Sequence, residues 1–323
     1  MATYKSEFFD HYYAGRRRPM SHYSLGWLPT WLHLATRMAP AVNLLTRGGL
    51  GRTAARLGGL TPHRTMPKFA SARRIRRELE HVGSEGDVVL LADTFTRGFR
   101  PEVASAAARV LADAGISSEC RTDACCGLTW TSTGQLSRAK KHLAKAAELL
   151  DDGTDRPIVV LEPSCAAAFR TDLPELIHSE AAHRVSRRIR TFAQMVAESA
   201  ENGWRPPHPL PDEVTVQTHC HEYAVFGAAT QRKALKALGV DTIREATGCC
   251  GVAGNFGFER EHYEVSMKVA DQALAPALRD TSAGAAVLAD GFSCHMQVRQ
   301  LDPDRTAQHL AQLLDPGSDP TRR

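Results

Sequence analysis

The sequence predicts an α/β protein of two similar lobes, each with a mainly parallel sheet and helices on both faces, preceded by a basic helical arm. Three observations carry this prediction. From about residue 87 onward, apolar runs of strand length alternate with amphipathic segments of helix length. The same order of elements occurs twice, each time around a Cys-Cys-Gly: Cys125, Cys126, Gly127 and then Cys249, Cys250, Gly251. Residues 1–77 stand apart in composition, with 14 Lys/Arg against only Glu7 and Asp10. That is +12 on the arm and −8 on the remainder of a 323-residue chain of net charge +4. The length suits one large or two ordinary domains. The expected division is a basic arm over 1–77, a first lobe over 78–205 and a second lobe over 206–323.

In the arm, aromatic and apolar residues recur among arginines, and helices are expected there. Its longest apolar stretch, "LGWLPTWLHLATRMAPAVNLL", is interrupted by Pro29, His33, Arg37 and Pro40, and no run of about 20 apolar residues occurs in the chain. The uneven charge suggests docking of the arm to an acidic partner surface or to anionic lipid, with a solvated basic face as the plain alternative. "GRRRP" at 15–19 has tyrosines beside it, but no nucleic-acid fold accompanies it, so no nucleic-acid partner is expected.

The first lobe opens with "DVVLLADTF", a buried-strand pattern. A helix follows from Pro101 and stops at Gly115. After a short strand and the first Cys-Cys-Gly, Ser132 and Gln135 have capping-box spacing, and Leu136, Leu143, Ala146 and Leu150 share a helix face. A strand, "RPIVVLEPSC", leads to Cys165. The second lobe repeats the order: strand "EVTVQTHCH", a helix through "VFGAATQRKALKALG", a strand before the second Cys-Cys-Gly, and a helix with Tyr263, Met267, Ala270, Leu274 and Leu278 on one face. The strand "AAVLADGFSC" then leads to Cys294. In parallel α/β sheets the strand-to-helix loops share one edge, which is where ligands bind. The topology therefore gathers cysteines that lie far apart in sequence.

The second lobe offers four cysteines, Cys220, Cys249, Cys250 and Cys294. The first offers Cys125, Cys126 and Cys165, with Thr94 where the leading cysteine would fall. Four thiolates on three loops suit an iron–sulfur cluster, and a [4Fe–4S] cluster is expected at this principal site. Zinc also takes four cysteines, but the C-x2-C knuckles it usually draws on are missing. Thiols without metal are the third reading. For the weaker first site, a degenerate cluster site, zinc and an empty remnant stand level. Gly127 and Gly251 would let backbone N–H groups approach the sulfurs. His219, His221 and His295 flank the second set and would tune it by hydrogen bonding. Eight cysteines without a secretory signal point to the cytoplasm.

"ADTFTRGFRPEV", "CCGLTWTSTGQL", "LEPSC", "GCCGVAGNFGFEREHYEVSM" and "ADGFSC", with "YKSEFFDHYYAGRRRPMSHYSLGWLP" in the arm, resemble the cysteine-rich CCG-domain iron–sulfur oxidoreductases. The match is closest to the C-terminal part of FAD and iron–sulfur proteins similar to D-lactate dehydrogenase. It extends to the CCG-bearing subunit of heterodisulfide reductase and the iron–sulfur subunit of anaerobic glycerol-3-phosphate dehydrogenase. The resemblance implies two Rossmann-like lobes and an electron-transfer role. The chain would act as a subunit or fragment that passes electrons from an FAD-bearing, ferredoxin-like partner, oxidising a 2-hydroxy acid such as D-lactate, to a quinone or other acceptor. FAD would reside only on that partner, and contact with the cytoplasmic face of a membrane is a further implication. Where the family's full motif ends in C-x2-C, this chain has Ala168 and Gln297. A thiol–disulfide enzyme and a zinc-stabilised scaffold are the rival functions.

Overall fold

The computed structural model describes residues 2–46, 48–80 and 82–317. Two sheets form, and every strand pair in them is parallel. The first contains β1 (Val88–Leu91), β2 (Ser118–Arg121), β3 (Ile158–Val160) and β4 (Ile189–Thr191) in the order β2-β1-β3-β4. The second contains β5 (Glu213–Val216), β6 (Thr242–Glu245) and β7 (Ala286–Leu288) in the order β6-β5-β7. In each, the first strand in sequence is central and the next two flank it. The chain thus reverses direction across the sheet at the ends of β1 and β5, and crevices open at such points.

The apolar runs explain the strands. Val88 to Leu91 are all buried, because helices cover both faces of the sheet. One core layer joins the lobes: Leu90, Val103 and Val110 of the first pack in the same cluster as Val214, Val216, Leu235 and Leu288 of the second. Leu310 and Leu314, from the last helix, belong to it too. That helix packs on helix Pro101–Asp113, and helix Phe192–Glu201 packs on helix Thr230–Ala237. Each lobe therefore closes with a helix laid on the other.

Several local expectations differ from the structure. Gln135 is itself the residue before helix Leu136–Leu150, and its side chain makes no cap. It bonds instead with Trp27 Nε1 (2.8 Å) and the His22 carbonyl (3.0 Å) in the arm. The helix expected through 225–239 is broken at Gly227, whose φ of 112° no helix accommodates. Tyr263 to Leu278 form two helices, Tyr263–Ala270 and Leu274–Arg279. Strand β4 had no counterpart among the expected elements.

The arm is helical, with helices Ala2–Tyr12, Met20–Ser24, Leu28–Arg37, Ala39–Leu45, Gly48–Leu57 and Ala72–Leu79. Its inner side is bound to both lobes. Arg18 donates to the carbonyls of Thr133 (2.7 Å) and Gly134 (2.6 Å), and Asp10 accepts from the Leu136 amide (3.1 Å). On the second lobe, the Thr61 amide donates to the Phe258 carbonyl (2.8 Å), and Ser21 donates to Glu259 (3.1 Å). Arg64 is buried and donates to the Gly257 carbonyl, to Gln297 Oε1 (2.7 Å) and to Ser266 Oγ (2.6 Å). Among the described residues, no helix is long and apolar enough to cross a membrane.

Candidate metal centre

All seven cysteines expected at the two sites lie beyond the C-terminal ends of strands. Cys125 and Cys126 follow β2, and Cys165 lies on the helix Pro163–Ala167 that follows β3. Cys220 opens helix Cys220–Phe226 after β5, Cys249 and Cys250 follow β6, and Cys294 lies in helix Phe292–Leu301 after β7. Cys120 instead sits on β2 and packs beside the shared core, where burial pushes its thiol up to about 11.

In the second lobe the thiols form a hydrogen-bonded chain, Cys220–Cys249–Cys250–Cys294. Cys249 is the sulfur poised to be a thiolate. The thiols of Cys220 and then Cys250 donate to it, the Gly251 amide approaches at 3.3 Å, and its pKa falls far below the ordinary thiol value. Cys220 and Cys250 are held protonated, first by that same bond to Cys249. In the first lobe Cys126 and Cys165 lie 3.0 Å apart, sulfur to sulfur, and the Thr94 hydroxyl lies 3.5 Å from Cys125. Thr94 thus occupies the place of the missing cysteine. Although its bond with Cys126 lowers it, the Cys165 thiol is pushed up to about 12 by burial and by Asp93 and Glu162.

The Cys-Cys-Gly turn aims backbone donors at both of its sulfurs, and it does so twice. Gly127 and Leu128 amides bond to Cys125 and Cys126; Gly251 and Val252 amides bond to Cys249 and Cys250. Gly127 (φ 69°) and Gly251 (φ 88°) are left-handed, and a Cβ on Gly251 would collide with the Ser266 carbonyl. Such converging N–H groups favour negative charge on sulfur. A five-residue helix, Leu128–Ser132, follows Gly127; a turn follows Gly251, so the helix expected directly after it starts later. In that turn Ala253 has φ 44°, the one positive φ outside glycine among the described residues. The thiol donor set and its amides fit an iron–sulfur cluster. Among the described residues, no group of three or more His, Cys, Asp or Glu side chains is gathered closely enough to hold a metal ion, so the fit rests on the donor set and its amides.

The histidines divide. His219 is buried, precedes the Cys220 helix and accepts from the His221 amide at 3.1 Å; burial brings its pKa down to about 3. Gly291 has no side chain because any Cβ there would meet the His219 ring. His221 bonds to the Ser164 backbone across the lobes. His295 is engaged elsewhere, 3.1 Å from the Ala307 carbonyl, and burial brings it down to about 3.

A cavity of about 620 Å³ lies against the second cysteine set. Cys220, Cys249 and Cys250 line it, as do Glu162, Ser164 and Phe95 from the first lobe and Leu25, Leu28 and Phe69 from the arm. The first cysteine set does not line it. The wall near Cys165 includes Ala168 and Thr171 from one π-helical turn, Ala168–Asp172, a feature that often marks functional sites.

Sequence reading gave no role in the site to four buried carboxyls, Asp93, Glu162, Glu222 and Asp290, of which Glu162 bonds across the lobes. Glu162 accepts from Ser164 (2.7 Å) and from the Phe292 amide of the other lobe (2.7 Å). Asp93 accepts from Phe95, Thr96 and the Glu162 amide. Asp290 accepts from the Leu310 amide (2.7 Å) and from Gln231 (2.6 Å), which also reaches Glu222 (3.3 Å). The only signal in the sequence was their placement just after strands, before the expected helices.

Burial, then Asp290, pushes the Glu222 carboxyl up to about 8 from an ordinary 4.5. The folded state therefore keeps a proton that the unfolded chain releases. From this group, stability is full below about pH 4.5 and is lost as pH rises through about 8. Glu222→Gln is expected to flatten the decline in melting temperature between about pH 5 and 8. A variant that declines as steeply as the wild type contradicts this.

A two-lobed α/β protein with paired thiols at its strand ends is the class that the fold and site define. The family model for the CCG cysteine-rich domain matches residues 92–170 and 214–299, half of the chain, and the protein belongs to that family. Over 96% of its length the chain is 25% identical to D-2-hydroxyglutarate dehydrogenase of Pseudomonas putida, covering 32% of that protein. Against the Escherichia coli protein of the same name it is 22% identical over 97% of its length, again covering 32%. It is 23% identical, over 78% of its length, to a subunit of the anaerobic glycerol-3-phosphate dehydrogenase of Escherichia coli, covering 65% of that subunit. The chain thus spans about a third of the length of the D-2-hydroxyglutarate dehydrogenases it matches.

Proposed function

We propose that the chain is an iron–sulfur electron-transfer component of an oxidoreductase acting on a 2-hydroxy acid. The observation that carries this reading is the doubled Cys-Cys-Gly turn, which directs amide N–H groups onto both sulfurs of each pair. Cys220, Cys249, Cys250 and Cys294 would hold the principal cluster, of the [4Fe–4S] type. When bound, it supplies one-electron redox chemistry.

The chain's own groups set the conditions. The four backbone amides of the two turns stabilise thiolate charge, and His219 stays neutral beside Cys249. The helix carrying Cys165 packs against the helix carrying Cys220, which supports a relay between the second, weaker site (Cys125, Cys126, Cys165) and the principal one. The cavity beside Cys249 would receive the acceptor. Its leucines and phenylalanines suit a quinone.

Electrons would come from an FAD-binding, ferredoxin-like partner. The names of the relatives support a dehydrogenase context, and D-2-hydroxyglutarate and D-lactate both belong to the 2-hydroxy acid class. The Cys126–Cys165 contact of 3.0 Å favours a second reading, a thiol–disulfide enzyme. Purification under anaerobic conditions, followed by metal and sulfide analysis, tests these readings. Iron with acid-labile sulfide is the expected result. Thiols without metal would support the second reading, and zinc alone would make the chain a structural scaffold.

A further inference from the structure

Nothing in the chain, among the described residues, covers the outer face of the arm. Among the described residues, twelve of the fourteen large apolar side chains left exposed lie between residues 4 and 57. Trp31 and Leu34 are one turn apart on helix Leu28–Arg37, and Leu50 and Leu57 are two turns apart on helix Gly48–Leu57. Leu44 lies on the helix between them. Leu44, Leu50 and Leu57 keep 68%, 68% and 74% of their surface in solvent. Hydrogen bonds join the ends of this face. Trp31 Nε1 donates to the Tyr23 carbonyl (3.1 Å), and Ser24 donates to the Gly58 carbonyl (2.8 Å). Helix Met20–Ser24 thereby sits between Trp31 and the end of the Leu57 helix.

Charge accompanies the apolar side chains. Residues 11–77 contain 13 Lys/Arg and no Asp or Glu. Arg37, Arg52 and Arg56 are exposed among the leucines. From this we infer that the outer face of the arm docks on an anionic lipid bilayer. The leucines enter the boundary between headgroups and acyl chains, the arginines meet lipid phosphates, and Trp31 lies at the interface.

Lipid fits this face better than a protein does. A protein rim offers charges of both signs and directional hydrogen bonds. This face offers one sign of charge and apolar side chains on short helices that lie along the surface. Leu28, on the same helix as Trp31, lines the cavity beside the cysteines. Docking would therefore set that cavity close to the bilayer.

The test uses the full chain and vesicles of phosphatidylcholine, alone or mixed in equal parts with phosphatidylglycerol. Co-sedimentation with the mixed vesicles is expected, and little with the neutral ones. Arg52→Gln with Arg56→Gln should weaken binding about thirtyfold, since each basic residue near such a surface contributes about a fivefold factor. Leu44→Glu, Leu50→Glu and Leu57→Glu together should abolish it while circular dichroism stays unchanged. Independently of any variant's folding, lipids brominated on the acyl chain should quench tryptophan emission of the wild type, and Trp31→Phe should remove that part of the quenching. Failure of the wild type to sediment with mixed vesicles overturns the inference, as does binding that the triple glutamate variant retains. A self-association abolished by the glutamates, without vesicle binding, would also overturn it by assigning the face to a protein.

Discussion

Arg64→Ala should lower the stability of the protein by about 3–5 kcal/mol, the range expected when a buried cation with several hydrogen bonds is lost. The guanidinium serves three acceptors, the Gly257 carbonyl, Gln297 and Ser266, and lies near the rings of Phe258 and Tyr263. Truncation would leave those acceptors buried without a donor and open a gap between arm and second lobe. Arg64→Lys should recover only a minor part, because an ammonium cannot span three divergent acceptors. Urea denaturation of both variants checks this, and a loss below about 1 kcal/mol for alanine, the worth of one ordinary hydrogen bond, would mean that the arm is not integral to the fold.

The second large effect concerns the cysteines. In anaerobically purified protein, Cys249→Ser or Cys294→Ser should remove most of the bound iron and visible absorbance, while Cys165→Ser should leave most of both. The ranking follows from the donor sets: four linked thiols in the second lobe, three in the first with Thr94 in the remaining place. Circular dichroism would establish that each variant is folded. Equal losses from both lobes, or loss only with Cys165→Ser, would contradict the ranking.

Much of this architecture could be read from the residues. Val88 to Leu91 and the run at Glu213–Val216 declare strands by their apolar content, and the doubled Cys-Cys-Gly declares the repeat. Once parallel sheets were expected, the common edge of the cysteines followed. Other features leave no local trace. Strand β4 is three residues, Ile-Arg-Thr, with arginines before and within it, and pairing to β3 alone makes it a strand. Arg64 stands in "TPHRTMPKF", a stretch without periodicity, and its role depends on residues some 200 positions away. Gln297 shows the same limit. The sequence marks it only as the place of an absent cysteine, whereas its side chain is the acceptor that receives Arg64.

The arm's charge was legible and part of its purpose was not. The uneven charge suggested docking outward, yet Arg18 of "GRRRP" is turned inward onto Thr133 and Gly134. Replacing Arg16, Arg17 and Arg18 together would therefore disturb the fold as well as any external contact.

The arm also constrains the order in which the protein can be made. It is made before both lobes, but its anchors include Gln135, Phe258 and Gln297. The three acceptors of Arg64, on Gly257, Ser266 and Gln297, follow it by 193 to 233 residues, the last of them Gln297, and closing connections of that length is costly in entropy. All eight cysteines precede that point. Each cysteine is therefore already made when the last of these contacts becomes possible, and until the arm is seated the cavity beside Cys249 lacks the wall that Leu25, Leu28 and Phe69 give it.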